Sequence, residues 1–357
     1  MRPLTIAGAL LALAACIGAA FATRRGGGAP AADSPARAAN PQQVVPPPAG
    51  DPIDKDKKLP LTPVRAPAGF GEAAFAHVQA LCALGPRTPG SEKRPATPGW
   101  TRQLTYIEDE LKQHGITPVR DTWTDRKELI TFTNLSATLP GKSKDRILLC
   151  CHHDTKCTQG HPDPAHNFDF VGANDGASGV AALLALAPVL AAGGHEATIE
   201  LVFFDGEESL DWKWNDAVRA LFGSKRYVQR HREAQLVGGE SRIAAVVLLD
   251  MVGRTDMHLQ EELYSTPELR TIQWSAAVAC GHDAHFFKRA AGACDDHVPF
   301  LLHGIPAVDL IDLDDNPFWH TEKDTVEFMS PQSLQVTGDV VLTMLPEIER
   351  TYVAQKR

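Results

Sequence analysis

Three apolar runs, Ile147–Cys151, Ala197–Phe204 and Ile243–Leu249, place the strongest constraint on how this chain folds. None shows the apolar/polar alternation of a strand with one face in water. Runs of this kind suit central strands that are covered on both faces. Good helical segments lie between them, notably Gly176–Ala192 and Phe222–Arg232. Strand and helix in alternation imply an α/β fold: a mixed, mostly parallel central sheet flanked by helices. Upstream, helices are expected over Ala73–Ala83 and over the amphipathic Trp100–His114, which Gly115 stops. β-Branched and aromatic alternation predicts strands at about 116–123 and 129–138.

The chain's 357 residues, 43% of them hydrophobic, suffice for one large core. A net charge of −9 without a long basic run argues against nucleic acid as a partner. Residues Leu4 to Ala22 are almost wholly apolar and follow Arg2. Three fates stay open for this 1–22 segment. It is a signal peptide cut after Ala20-Phe21-Ala22, a lipoprotein signal with Cys16 acylated after Leu13-Ala14-Ala15, or a retained membrane anchor. Each exports the rest of the chain to a periplasmic or extracellular location, and the last two attach it to a membrane. Residues 23–65 are rich in Pro, Ala and Gly and read as a linker, leaving 66–357 as one folded domain. Six cysteines follow Cys16, and an oxidising compartment would permit disulfides whose connectivity the sequence does not give.

The polar residues fall where an open parallel sheet binds ligands, beyond the carboxyl ends of its strands. His152-His153-Asp154 follows the first run, Asp205-Gly206-Glu207-Glu208 the second, and Asp250 the third. Asp309 follows Ile305-Pro306-Ala307-Val308, with Trp319-His320 shortly after, and Asp175 stands at the start of the helix that opens at Gly176. Histidine nitrogen and carboxylate oxygen converging from five segments suit zinc. Adjacent glutamates are costly unless each has its own partner. One can ligate the metal while its neighbour moves protons.

Five motifs, in order, resemble the M28 zinc metallopeptidase superfamily: Cys151-His152-His153-Asp154-Thr155, Gly172 to Gly179, Phe204 to Glu208, Leu249 to Gly253, and His320 to Asp324. The resemblance covers about residues 70 to 350 and implies a zinc-aminopeptidase-like α/β/α sandwich. Two activities compete within it. The animal-type glutaminyl cyclases close an N-terminal glutamine of a peptide or protein to pyroglutamate and release ammonia. Their pattern implies one zinc on Asp175, Glu208 and His320, with Glu207 as proton shuttle and Asp250 and Asp295 in an acidic network around it. The aminopeptidases imply two zinc ions, with His152 and Asp250 added as ligands and Asp175 bridging. Asp295-Asp296-His297-Val298-Pro299-Phe300 and Trp319 before His320 favour the cyclase. Trp319, with Trp212 or Trp214, would wall its glutamine pocket. Departures are a Trp-bearing loop about two residues longer, Asp309 where the animal enzymes have histidine, and Val180 in place of one cysteine of their disulfide. The resemblance leans to a monomer. His153, His161, His166 and His303 are expected on the surface or in loops.

Overall fold

The computed structural model describes residues 45–353 except 213, 215–217 and 240. The three apolar runs become β4 (Arg146–His152), β5 (Thr198–Phe204) and β6 (Ile243–Asp250). They join β1 (Gly90–Ser91), β2 (Pro118–Thr124), β3 (Ile130–Leu139) and β9 (Ala307–Ile311) in a seven-stranded sheet of order β1-β3-β5-β4-β6-β9, with β2 on β3. Strands β5, β4, β6 and β9 run parallel, whereas β1, β2 and β5 pair with β3 antiparallel. The sheet is therefore mixed and mostly parallel at its centre, as the missing alternation predicts.

Cover on both faces is visible residue by residue. Ile147, Leu149 and Cys151 of β4 enter a large core built with α1 (Phe70–Cys82), α2 (Pro98–Gln113), α3 (Ala177–Ala191), α5 (Pro267–Cys280) and α7 (Pro331–Tyr352). Leu148 and Cys150 enter a smaller core with Val228 of α4 (Phe222–Leu236) and Phe300 of α6 (Val298–Leu301). Truncating Leu149, which is fully buried, to alanine would cost about 2–5 kcal/mol. Strands β7 (Leu259–Glu262) and β8 (Phe286–Ala291) form a separate two-stranded sheet. Their presence, and that of α5 and α7, does not follow from the apolar runs.

The chain passes from β4 to β5 on one side of β4, then crosses to β6 on the other. This switch opens a crevice at the carboxyl ends of the strands, where ligands of such sheets bind. Helix α3 starts at that crevice and is buried from Ala177 through Ala187. It lies against the sheet because residue 179 is glycine. A Cβ there would come within 2.3 Å of the Leu249 carbonyl oxygen and 2.8 Å of the Cys151 Cβ.

The last part of the expected linker lies along the domain. Ile53, Leu59 and Leu61 pack on the large core. Leu59 N donates to Ser275 Oγ at 2.8 Å, and Arg65 pairs with Asp339 at 2.7 Å. The apolar segment 1–22 and its three fates lie outside the described residues. No described helix is long and apolar enough to cross a membrane. The six cysteines from Cys82 to Cys294 are free thiols.

Candidate metal centre and active site

Each strand end delivers its polar residues to one buried rim. β4 ends at His152, β5 leads into Glu207 and Glu208, β6 ends at Asp250, and the turn before α3 presents Asp175. His320 enters from the loop after β9 with a left-handed backbone (φ 53°). Such a conformation costs a non-glycine residue on the order of 1–3 kcal/mol and persists where surrounding contacts impose it.

Two triads result. Asp175, Glu208 and His320 form one, and His152, Asp175 and Asp250 form the other, with donor atoms all within 4.8 Å in each. In the first, His320 Nε2 lies 3.2 Å from Glu208 Oε1 and 3.4 Å from Asp175 Oδ2. Metal–ligand bonds of about 2.0–2.1 Å in a tetrahedron put donors ~3.3 Å apart, so the spacing fits a zinc-sized ion. Asp175 Oδ2 is buried without a hydrogen-bond partner, which a cation would satisfy, whereas Glu208 Oε2 lies 3.6 Å from the buried Lys156 ammonium. In the second triad His152 Nε2 lies 3.2 Å from Asp175 Oδ1 and 3.1 Å from Asp250 Oδ1. Asp175 thus gives one oxygen to each triad.

Charge balance follows from this packing. For His152, burial alone would lower the pKa, but Asp250, Asp154 and Asp175 hold it well above its ordinary value. The His320 imidazole is likewise raised to about 9, with Glu208 and Asp175 outweighing its burial. Asp175 is lowered, because His152 and His320 outweigh the effect of its burial.

The adjacent glutamates are divided by Asp154. Its two carboxylate oxygens accept the amides of Glu207 and Glu208 at 3.1 and 3.3 Å. Glu208 then turns toward His320, while Glu207 Oε2 lies 3.9 Å from His152 Nδ1. The turn needs Gly206: its φ is +69°, and a Cβ would sit 2.4 Å from the Phe132 ring. Burial pushes the Glu207 carboxyl well above its usual range. His152 opposes this, while Asp295, Glu208 and Asp296 add to it. Asp295 is raised to about 7, by burial and then by Asp250. Asp296 is raised to about 8, by burial and then by Asp295, and accepts a 2.5 Å hydrogen bond from Ser224 Oγ. Asp250 is raised by burial against the pull of His152.

The three tryptophans separate. Trp319 is 38% exposed and stacks on the His320 ring at 4.2 Å. Trp212 lies 6.0 Å from that ring, its plane tilted by 54°. Trp214 packs against the buried cluster of Ala220, Leu221 and Val298.

Residues 134–345 match peptidase family M28. The chain belongs to that family. A curated relative, the glutaminyl-peptide cyclotransferase-like protein of Bos taurus, is 27% identical over 73% of this chain and 72% of its own. The crystal structure of Acidobacteriales bacterium glutaminyl cyclase is 31% identical, with a TM-score of 0.67 over 82% of this chain and 98% of that one. The Fimbriiglobus ruber glutaminyl cyclase structure is 29% identical, with a TM-score of 0.68 over 81% and 96%. The M28 fold thus carries both triads, the Glu207 turn and the Asp295–Asp296 pair at the carboxyl ends of its central strands.

Several residues of this M28 site behave differently from their sequence reading. His153 is not on the surface: it is fully buried between Gln103 and the Thr133 carbonyl, both at 2.9 Å, and burial lowers it to about 4. His161 is a loop residue and His166 ends a short 3₁₀ turn (Pro164–His166), and their rings lie 5.1 and 3.8 Å from that of Trp212. Asp309 is fully buried, 3.7 Å from His297 Nδ1, with neither oxygen hydrogen-bonded. Lys156 Nζ is buried against the Ser209 and Asp211 carbonyls at 2.6 and 3.0 Å, bracing the loop that carries Trp212. Sequence reasoning assigns no role to Arg87 or Asp324, which hold the backbone leading to Asp175.

Proposed function

We infer that this M28 chain is a glutaminyl cyclase that acts on N-terminal glutamine of peptides and proteins. The observation that carries the reading is the acidic pair Asp295 and Asp296 acting on Glu207, which is buried next to Glu208 of the Asp175–Glu208–His320 triad. A carboxylate so placed can hold a proton between two steps. The named relatives support the same reading.

We assign zinc to the first triad, one ion per chain. Zinc bound there would polarise the γ-carbonyl of the substrate glutamine and offset negative charge on its oxygen. The protein's own part is geometry and proton transfer. The α-amine nitrogen forms a bond to the γ-amide carbon within one substrate molecule, so fixed orientation supplies much of the rate. A Glu207 carboxylate oxygen takes a proton from the attacking nitrogen and passes one to the amide nitrogen as the carbon–nitrogen bond breaks. Ammonia leaves and the ring remains. Asp250 and Asp295 hold the charge and protons around Glu207. Trp319 and Trp212, both against the His320 ring, wall the pocket.

The second triad favours one other reading, a two-zinc aminopeptidase with His152 and Asp250 on a second ion. A single experiment separates them. Purified protein given a glutamine-initiated peptide should release ammonia and leave every peptide bond intact, with about one zinc per chain. Release of free N-terminal leucine or alanine from peptides, with two zinc ions, would reverse the assignment. We propose export through residues 1–22 and action as a monomer. Intact-mass analysis of the mature protein, and its mass by light scattering, test these two points.

A further inference from the structure

Asp175 is common to both triads, and the backbone that presents it is gripped from two sides. Arg87 Nη1 donates to the Val171 carbonyl at 2.6 Å and Nη2 to the Gly172 carbonyl at 3.0 Å. Opposite, the two carboxylate oxygens of Asp324 accept the amides of Asn174 at 2.8 Å and Asp175 at 3.0 Å. The main-chain oxygen of Asp324 accepts the amide of Ala173 at 3.2 Å. Five consecutive residues, 171 to 175, therefore each give one backbone group to this pair. Arg87 is fully buried and Asp324 is 4% exposed.

Burying a guanidinium and a carboxylate is costly unless their hydrogen bonds are well made. Here all but one of those bonds, that of Arg87 Nε to the His153 carbonyl at 3.4 Å, go to one loop, the loop that carries a metal donor. Asp324 has a second connection. It lies four residues after His320, and its amide closes a turn onto the Thr321 carbonyl at 3.2 Å. One short turn thus links two of the three donors of the first triad through a side chain that ligates nothing.

We propose that Asp324, supported by Arg87, is the positioning residue of the metal centre: it sets the place of Asp175 relative to His320. The proposal rests on the zinc reading of the triad. Groups that orient metal ligands from behind change metal affinity by about 10- to 100-fold when removed. Asp324→Asn keeps the shape but puts an NH₂ group against one of two backbone amides that need an acceptor.

Zinc affinity of the full chain, measured by competition with a chromophoric chelator, should weaken about 10- to 100-fold in Asp324→Asn. At saturating zinc, kcat should fall while KM for a glutamine peptide stays near wild type. Asp339→Asn is the control. Asp339 is also buried and also accepts a backbone amide, that of Ala66 at 2.9 Å, away from the site. It should lower Tm and leave zinc affinity unchanged. If Asp324→Asn does not fold, Arg87→Lys, which loses the two-pronged grip, should weaken zinc in the same direction. Wild-type zinc affinity in the folded Asp324→Asn or Arg87→Lys variant would overturn the proposal. Wild-type protein that binds no zinc would instead overturn the metal reading, and the proposal with it.

Discussion

Replacing Glu207 with glutamine tests the division of labour between the two glutamates. The change keeps shape and removes only the ability to accept a proton. No donor atom of the first triad belongs to Glu207, and its amide bond to Asp154 is made by the backbone. Zinc should therefore stay bound at wild-type stoichiometry. Positioned proton transfer contributes about 10²–10⁴ in rate, so kcat should fall by that factor, or ~2.7–5.5 kcal/mol of barrier. Stability should move the other way. The folded protein raises the Glu207 pKa, so stability is lost as pH rises from the ordinary glutamate value through the raised one, and the loss is complete once the carboxylate is charged in the fold. A neutral glutamine removes this cost, and at about pH 8 the metal-free variant should melt at or above the wild-type temperature. Ammonia release from a glutamine peptide, zinc by elemental analysis and a melting curve read the three outcomes. Loss of zinc with Glu207→Gln would mean that the glutamates have been assigned the wrong way round. Retention of more than about a tenth of wild-type kcat would sink the shuttle role altogether.

Glu208→Gln should do the opposite, losing zinc and with it activity, since Glu208 Oε1 is a donor of the first triad at 3.2 Å from His320; dialysis followed by zinc analysis reads this. Metal-free protein should lose stability as pH rises from about 5 to about 9, because Asp295, Asp296 and His320, raised to about 7, 8 and 9, keep protons in the fold that the unfolded chain has released. A Tm that rises over that range would contradict the buried acid cluster. Trp212→Ala should raise KM by about 2- to 12-fold, the worth of one aromatic contact of about 0.5–1.5 kcal/mol, with kcat less affected; an unchanged KM in peptide kinetics would remove Trp212 from the pocket. Gly206→Ala forces a left-handed alanine against Phe132 and should cost about 2–5 kcal/mol in denaturant unfolding, with activity falling as the Glu207–Glu208 turn shifts.

What was legible in the sequence was whatever periodicity and chain position determine. The apolar runs of β4, β5 and β6 lack alternation because both faces are covered, so the sheet could be read directly. The candidate ligands were legible because ligands of such sheets gather where strands end. The path of the extended segment before α1 was not, since Pro, Ala and Gly dominate it and only Ile53, Leu59 and Leu61 carry the packing. The roles of Arg87 and of Asp324, which the sequence marks only as the end of the His320–Asp324 motif, were hidden for another reason. Their partners are backbone groups, which leave no residue type to pair with in the sequence. Trp212 and Trp214 are two residues apart, and only the course of the loop turns one toward His320 and the other toward Val298.

The donors themselves do not distinguish ring closure from peptide hydrolysis, because Asp175 offers one oxygen to each of two triads. Nor does the proton's path: a base that activates water must return a proton to the leaving amine, just as a shuttle between an attacking amine and a leaving ammonia must. What the site adds is the acid cluster around Glu207. Burial and the neighbouring Asp295 and Asp296 drive Glu207 toward its protonated form, while a zinc ion on Glu208 would draw it back toward working pH. The two influences oppose each other at one carboxyl group, and that balance suits a group that must accept and return a proton within a single turnover.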